Sequence, residues 1–549
     1  MAGQTDRLVT TMQPWGGSSH PVVVDRKVRD LLIVALAGVL LPAALALGIT
    51  VAFPHLSLTI VLAIFAGLIA VVALMKSTRL ELTVTLLGVY LLVLNGPVKL
   101  GLGSHEATAA VPDILIGAVC LGAILRIVVR REKVRMPPMT AWVLAFVGTV
   151  VIEAFNPKTH GVLKILAGFR QQLQWVPFFF FAYALMRSKR NIRFFMILVC
   201  VCALANAVVA TYQTSISPSQ LASWGPGYRA LYDPTSLGKS AGHARVYDSE
   251  GEARPRPVGL GSDSGFSGGV GELALPFSLA LLITWGRRRR WIPIVFALGS
   301  IVGIATGLGK TQVIGSLLGV VVFAAFAWLG GRQSKRVLAA FLTVLALTIP
   351  FGVLFLTVVK SGTFSRYNTF ENTSSSELAT HKAGAYTLIP HLLETVPFGV
   401  GLGTAGPVSG VGGTVTDQVE GHVVTAETQY NLIVDELGGP GLIVWAAISI
   451  GFCFVVARGM RTIRDRDLAI LLAACCAPFV TLMITGFTGP FETSSAHGPY
   501  FWWAIGMAAY WFAGKRRVDA PDTGEGAHTV GVLAPGPAAP APGALAGTS

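Results

Sequence analysis

The stretch Phe194-Phe-Met-Ile-Leu-Val-Cys-Val-Cys-Ala-Leu-Ala-Asn-Ala-Val-Val-Ala-Thr-Tyr212 carries no charge, and Arg187, Lys189, Arg190 and Arg193 stand just before it. An apolar run of this length is what a helix needs to cross the ~30 Å hydrocarbon layer of a membrane. Similar runs recur from Leu31 to Gly514 in a chain of 549 residues that is 53% hydrophobic and 13% charged. Soluble domains carry about a quarter charged residues. A soluble protein of this length would need several charged surfaces, and the charge to cover them is missing. The chain therefore reads as an all-α, polytopic membrane helix bundle.

Fourteen spans are expected, with twelve as the lower bound because several are short: 31–53, 57–75, 80–96, 112–129, 140–155, 173–186, 194–212, 272–286, 291–308, 312–329, 338–359, 441–457, 468–487 and 500–514. Basic residues cluster in the segments 7–29, 76–79, 126–135, 187–193, 287–290, 332–336, 458–466 and 515–517, which hold 29 of the 42 Lys and Arg. Each lies in every second connection, the pattern of positive charge retained on the cytoplasmic side. This places both termini on the cytoplasmic side, with the membrane domain at 31–514. Residues 1–30 form a polar N-terminal segment with no removable signal peptide expected. Residues 515–549, rich in Ala, Pro and Gly, read as a disordered cytoplasmic tail. The net charge of +14 is thus mostly topology, and nucleic-acid binding is not expected.

Thirteen cations remain on the outer side, most of them in two long loops at about 213–271 and 360–440. Long outer loops rich in Arg suggest an anionic substrate, because the guanidinium fork matches phosphate geometry. Other motifs carry less. The six cysteines all fall in apolar runs and read as small buried hydrophobes. Gly401-Leu-Gly-Thr-Ala-Gly406 matches a dinucleotide fingerprint in letters only, since the strand–helix unit around it is missing. Gly309-Lys310-Thr311 resembles the end of a phosphate-binding loop, but Ile304 stands where its first glycine should be. No histidine pairing with metal-ligand spacing occurs, so neither metal nor cofactor is expected.

Six segments carry a resemblance. Pro397-Phe-Gly-Val-Gly-Leu-Gly403 is followed by Glu427-Thr-Gln-Tyr-Asn431 and by Glu436-Leu-Gly-Gly-Pro-Gly-Leu442. Upstream lie Phe169-Arg-Gln-Gln-Leu-Gln-Trp-Val-Pro177, Arg256-Pro-Val-Gly-Leu-Gly261 and Lys310-Thr-Gln-Val-Ile-Gly315. This ordered set, over about 155–457, resembles the bacterial O-antigen ligase and polysaccharide polymerase family. Glu427 stands where the family has a His nine residues before its Gly-x-x-Gly (after one small polar residue), and Lys310 stands where it commonly has Arg.

The resemblance implies a metal-independent membrane glycosyltransferase of cell-surface polysaccharide biosynthesis. Its donor would be an undecaprenyl-diphosphate-linked oligosaccharide and its acceptor a glycan or lipid, with membrane lipid around it and other polysaccharide-export proteins as candidate partners. Such transfer needs positive charge for the departing diphosphate and a base for the attacking hydroxyl. Arg256 and Lys310 are the catalytic cations so implied, with Arg170, Arg254 and Arg366 as substrate-binding cations. Glu427 is the implied base or the group that orients it; Asp263 counts with the substrate-binding residues, and Asp263 or Glu272, close to Arg256 in sequence, is a partner for it. A polysaccharide transporter or flippase, and a non-catalytic scaffold of the envelope, are the alternatives.

Overall fold

In a computed structural model the described residues are 80–102, 111–120, 123, 136–157, 159, 161–231, 246–249, 252–331, 333–358, 377–409 and 428–513. The expected spans 31–53 and 57–75 and the tail lie outside them. The fold is helical. In chain order the helices are α1 (Leu80–Leu102), α2 (Val111–Cys120), α3 (Thr140–Glu153), α4 (Val162–Leu173), α5 (Pro177–Leu185), α6 (Lys189–Ser215), α7 (Pro218–Ala222) and α8 (Pro226–Ala230). They continue as α9 (Phe266–Thr284), α10 (Trp291–Thr306), α11 (Lys310–Leu329), α12 (Ser334–Val358), α13 (Glu377–Thr395), α14 (Gln429–Met460), α15 (Arg466–Thr485) and α16 (His497–Trp511). A small antiparallel hairpin, β1 (Val246–Ser249) with β2 (Glu252–Pro255), stands between α8 and α9.

Seven helices among the described residues are long and apolar enough to cross a membrane: α1, α6, α9, α10 with its preceding turn, α11, α14 and α15. Two of them, α9 and α15, are buried over almost their whole length and form the centre of the bundle. The outer helices keep apolar stripes exposed, as with Ile314, Leu317, Val321 and Trp328 on α11 and Ile443, Ile450 and Phe454 on α14. Stripes of this kind suit lipid rather than water. The core between helices is aromatic, with Trp445 stacked on Phe501 and Phe452 on Phe479. The cysteines are free, and Cys200, Cys202, Cys475 and Cys476 are buried.

Two basic segments that the charge pattern assigns to one side, 187–193 and 458–466, come together at one end of the bundle, beside the C-terminal end of α16. Lys189 bonds Asp465 at 2.8 Å and Asp467 at 3.3 Å in the turn between α14 and α15. Arg193 joins Asp467 at 3.6 Å. At the C-terminal end of α16, Trp511 donates to the Met186 carbonyl at 2.7 Å, and the Arg187 guanidinium sits over the Tyr183 and Tyr510 rings.

Two spans differ from expectation. The stretch 173–186 holds only the nine-residue α5, because Pro177 starts a new helix after the turn that closes α4. The span read as 441–457 belongs to a helix that begins at Gln429 and breaks at Gly438, whose φ of 62° and ψ of −158° are non-helical. Hydropathy hides the first two turns of α14, since Gln429, Asn431, Asp435 and Glu436 are polar. All four are nonetheless buried, against protein rather than lipid.

The break has a defined cost and a defined remedy. An unbroken helix would bond the Gly439 N–H to the Asp435 carbonyl. Here Gly439 N–H donates to Pro397 O at 2.7 Å, and the Asp435 carbonyl accepts from Val400 N–H at 2.7 Å. The 397–400 backbone therefore replaces the missing helical bond on both sides. A side chain at Gly438 would collide with the backbone of Pro397 and Phe398, while Gly451, further along α14, faces open space. Gly438→Ala is expected to cost about 2–3 kcal/mol through strain at a glycine-only conformation. Gly451→Ala should be neutral or stabilising by up to about 1 kcal/mol. Thermal unfolding in detergent, followed by tryptophan fluorescence, checks the opposite signs.

Candidate functional site

The end of the bundle opposite the basic turns gathers buried polar side chains around two loops. The first carries Arg256. Two buried amides of α6 hold it: Gln213 Oε1 accepts from Val258 N–H (3.0 Å) and Gly259 N–H (2.8 Å), and its Nε2 donates to Gly259 O (3.0 Å). Two turns earlier Asn206 Oδ1 accepts from Leu260 N–H at 2.9 Å. The loop so fixed aims Arg256 at the corner between α10 and α11, where its Nη2 donates to Gly307 O at 3.1 Å. Lys310 opens α11 from that same corner. Arg256 and Lys310, distant in sequence, thus share one corner of the fold.

The second loop surrounds Glu436. Its Oε1 accepts from Gln171 Nε2 (2.9 Å), Gly403 N–H (3.1 Å) and Ala405 N–H (3.3 Å), and its Oε2 from Gln172 Nε2 (2.8 Å). Gln171 Nε2 also reaches Ala405 O at 3.1 Å. Close approach explains the glycines: a side chain at Gly403 would strike the Lys164 carbonyl, and one at Gly168 would strike Leu402 and Gly403. Lys164 itself is fully buried and donates to Ser409 O at 2.6 Å. The Gly401–Gly406 letters of a dinucleotide motif are therefore a loop closed around a carboxylate of the same chain.

The neighbouring 486–496 connection adds a third carboxylate. Glu492 Oε2 accepts from Gln429 Nε2 at 2.8 Å while its own N–H donates to Gln429 Oε1 at 3.0 Å, and Trp175 Nε1 donates to its carbonyl at 2.8 Å. Burial pushes the Glu492 carboxyl up to about 8; the Gln429 hydrogen bond opposes that rise and the nearby Glu436 adds to it. Asp435, also buried, has no hydrogen-bond partner for either carboxylate oxygen among the described residues. Buried polar groups left without partners are rare and mark places where water or a ligand is bound.

The expected site residues fall out as follows. Arg256 and Lys310 share the α10–α11 corner. Arg170, at the end of α4, is paired with Asp113 at 2.7 Å and half exposed. Arg254 stands in β2 opposite Tyr247. Asp263 is exposed and accepts from Ser262 Oγ at 3.3 Å. Glu272, on α9, lies 3.8 Å from His497 Nε2. Glu427 and Arg366 lie outside the described residues. Glu436, Gln171 and Gln172 stand within quoted motifs that assign them no role, and Glu492 and His497 stand in none. For Glu436 a signal existed, a lone carboxylate pair beside Gly-Gly-Pro-Gly at a membrane helix. Among the described residues no group of three or more His, Cys, Asp and Glu is placed to hold a metal ion. Comparison with protein-family models, curated proteins and solved structures finds no match for this chain.

Two variants test these arrangements. Glu436→Ala strands four donors, each worth about 1–3 kcal/mol when buried without a partner. Glu436→Gln keeps the oxygen that serves three of them, and Gln172 can turn its own amide oxygen, which has no partner, toward the new NH₂. The Ala variant should unfold at distinctly lower temperature than the Gln variant in detergent. For Glu492 the folded value of about 8 exceeds the ordinary 4.5, so the folded state binds the extra proton between these values. Its contribution to stability is full below about 4.5 and is lost as pH rises through about 8. Wild type should therefore lose more of its thermal midpoint between pH 6 and 9 than Glu492→Gln does.

Proposed function

We propose that the chain is an O-antigen ligase- or polymerase-like glycosyltransferase that moves an undecaprenyl-diphosphate-linked glycan at the outer face of the bacterial cytoplasmic membrane. The observation that carries this reading is the meeting at Glu436. Three segments matched separately in sequence, around Gln171 and Gln172, Gly403 and Glu436, are hydrogen-bonded to one another there. The Arg256 loop and Lys310, the two further matched segments, share a corner at the same end of the bundle. Protein cations at that corner supply the charge that a departing diphosphate develops. Buried acceptors such as Asp435 offer hydrogen-bond partners for sugar hydroxyls. Fourteen spans, with both termini cytoplasmic and the two long loops outside, belong to the same proposal. Polymerisation is favoured over ligation because Glu427 replaces the family's His.

A second reading, transport of a lipid-linked or polysaccharide substrate, draws on a different observation. Carboxylates buried within membrane helices and a helix broken part-way, as at Glu272, Asp435 and Gly438, are features of transporters. One experiment separates the two. A strain lacking the protein is complemented with the wild type or Arg256→Ala, and its surface glycan is resolved by length. Restored laddering with wild type and at least a tenfold loss with Arg256→Ala supports transfer. Unaltered glycan in every strain sinks it, and substrate flux into liposomes without glycan extension supports transport.

A further inference from the structure

The first turns of α9 hold a constellation that none of the matched segments contains. Gly265, Gly268 and Gly269 lack side chains, and each gap is filled from another element. A side chain at Gly265 would meet the Arg256 guanidinium, one at Gly268 would meet Gln312 of α11, and one at Gly269 would meet the His497 ring. One turn deeper, Glu272 packs against Gly315 of α11, where a side chain would strike its carboxylate. His497 and Glu272, 225 positions apart in the chain, are thereby placed side by side. His497 Nε2 is 3.3 Å from Gly269 O and 3.8 Å from Glu272 Oε2. The Glu272 side chain is 3% exposed and that of His497 12%.

This arrangement selects a tautomer. The hydrogen-bond partner of Nε2 is the Gly269 carbonyl, which only accepts, so Nε2 carries the proton and Nδ1 keeps its lone pair, with the Glu272 carboxyl alongside. An imidazole with one nitrogen anchored by an acceptor and the other free is the form of a general base, oriented by a carboxylate behind it. Its place along α9 also matters. Gly265, beside Arg256, precedes Gly269, beside His497, by four residues or ~6 Å along the helix axis. The Arg256 guanidinium and the His497 ring thus lie against successive turns of the same helix.

We propose that His497 is the base that removes the proton of the attacking hydroxyl, with Glu272 as its positioning residue; this rests on the glycosyltransferase reading. The acceptor O–H bond gives its proton to Nδ1, and the acceptor oxygen forms a bond to the anomeric carbon. The bond from that carbon to the donor phosphate breaks, and undecaprenyl diphosphate leaves with the electron pair toward Arg256. Glu272 stabilises the imidazolium so formed.

The test uses the full chain in proteoliposomes, with lipid extracted from a strain lacking the protein as the source of lipid-linked glycan. His497→Ala should lower kcat by about 10²–10⁴ with KM within about twofold of wild type, and added imidazole should restore at least tenfold of the loss. His497→Gln, which keeps a donor for Gly269 O, should be equally slow and as thermally stable as wild type. Glu272→Gln should lose less, without rescue by imidazole. Activity of a folded His497→Gln within about threefold of wild type overturns the assignment, as does a loss in His497→Ala that imidazole leaves unchanged. If the wild type itself extends no glycan, the underlying reading fails and takes the assignment with it.

Discussion

Everything at the polar end of this bundle depends on the break in α14 at Gly438. A helix inside a membrane cannot leave a backbone N–H and carbonyl without partners, because each costs several kcal/mol where no water reaches. The break frees the Gly439 N–H and the Asp435 carbonyl, and the 397–400 backbone takes both. Once that segment is pinned, its continuation must pass over Glu436, whose carboxylate collects two of its N–H groups and both Gln171 and Gln172. The bent helix, the glycine loop and α4 are thus one unit with a single cause.

The second constraint is the narrowness of α9. Three glycines at its start let side chains from the Arg256 loop, α11 and α16 approach its backbone directly. Bulk at any of these positions would push the elements apart and open the polar end. The opposite end is closed by different means, with Lys189 and Arg193 on the Asp465–Asp467 turn. The bundle is therefore polar in the sense of an axis: basic turns at one end, and buried carboxylates, amides and the Arg256 corner at the other.

Much of the architecture could be read from hydropathy and charge. The run 194–212 lies inside α6, and the basic segments 187–193 and 458–466 do converge. Hydropathy failed where burial is in protein instead of lipid. Gln429, Asn431, Asp435 and Glu436 read as loop because they are polar, yet all four are buried, Glu436 against amides of α4 and Gln429 against Glu492 of the 486–496 connection. The stretch 173–186 failed for the opposite reason: its composition is apolar enough, but Pro177 limits it to nine helical residues. In the candidate site the shared corner of Arg256 and Lys310 had a signal in two separate motifs. The His497–Glu272 pair had none, because 225 positions separate them and only the missing side chain of Gly269 lets the ring in.

The amino-acid sequence by itself determined that this chain is built on apolar helices long enough to cross a membrane, and where most of them lie. Those are properties of local composition, and each stretch of chain decides them alone. Only the tertiary structure decided that Gly401–Gly406 closes on a carboxylate of its own chain, that α14 breaks and is mended by backbone from another segment, and that His497 meets Glu272. Each of these needs a partner far away in the chain. What selects the partner is the demand that every buried polar group find one, which no local pattern records.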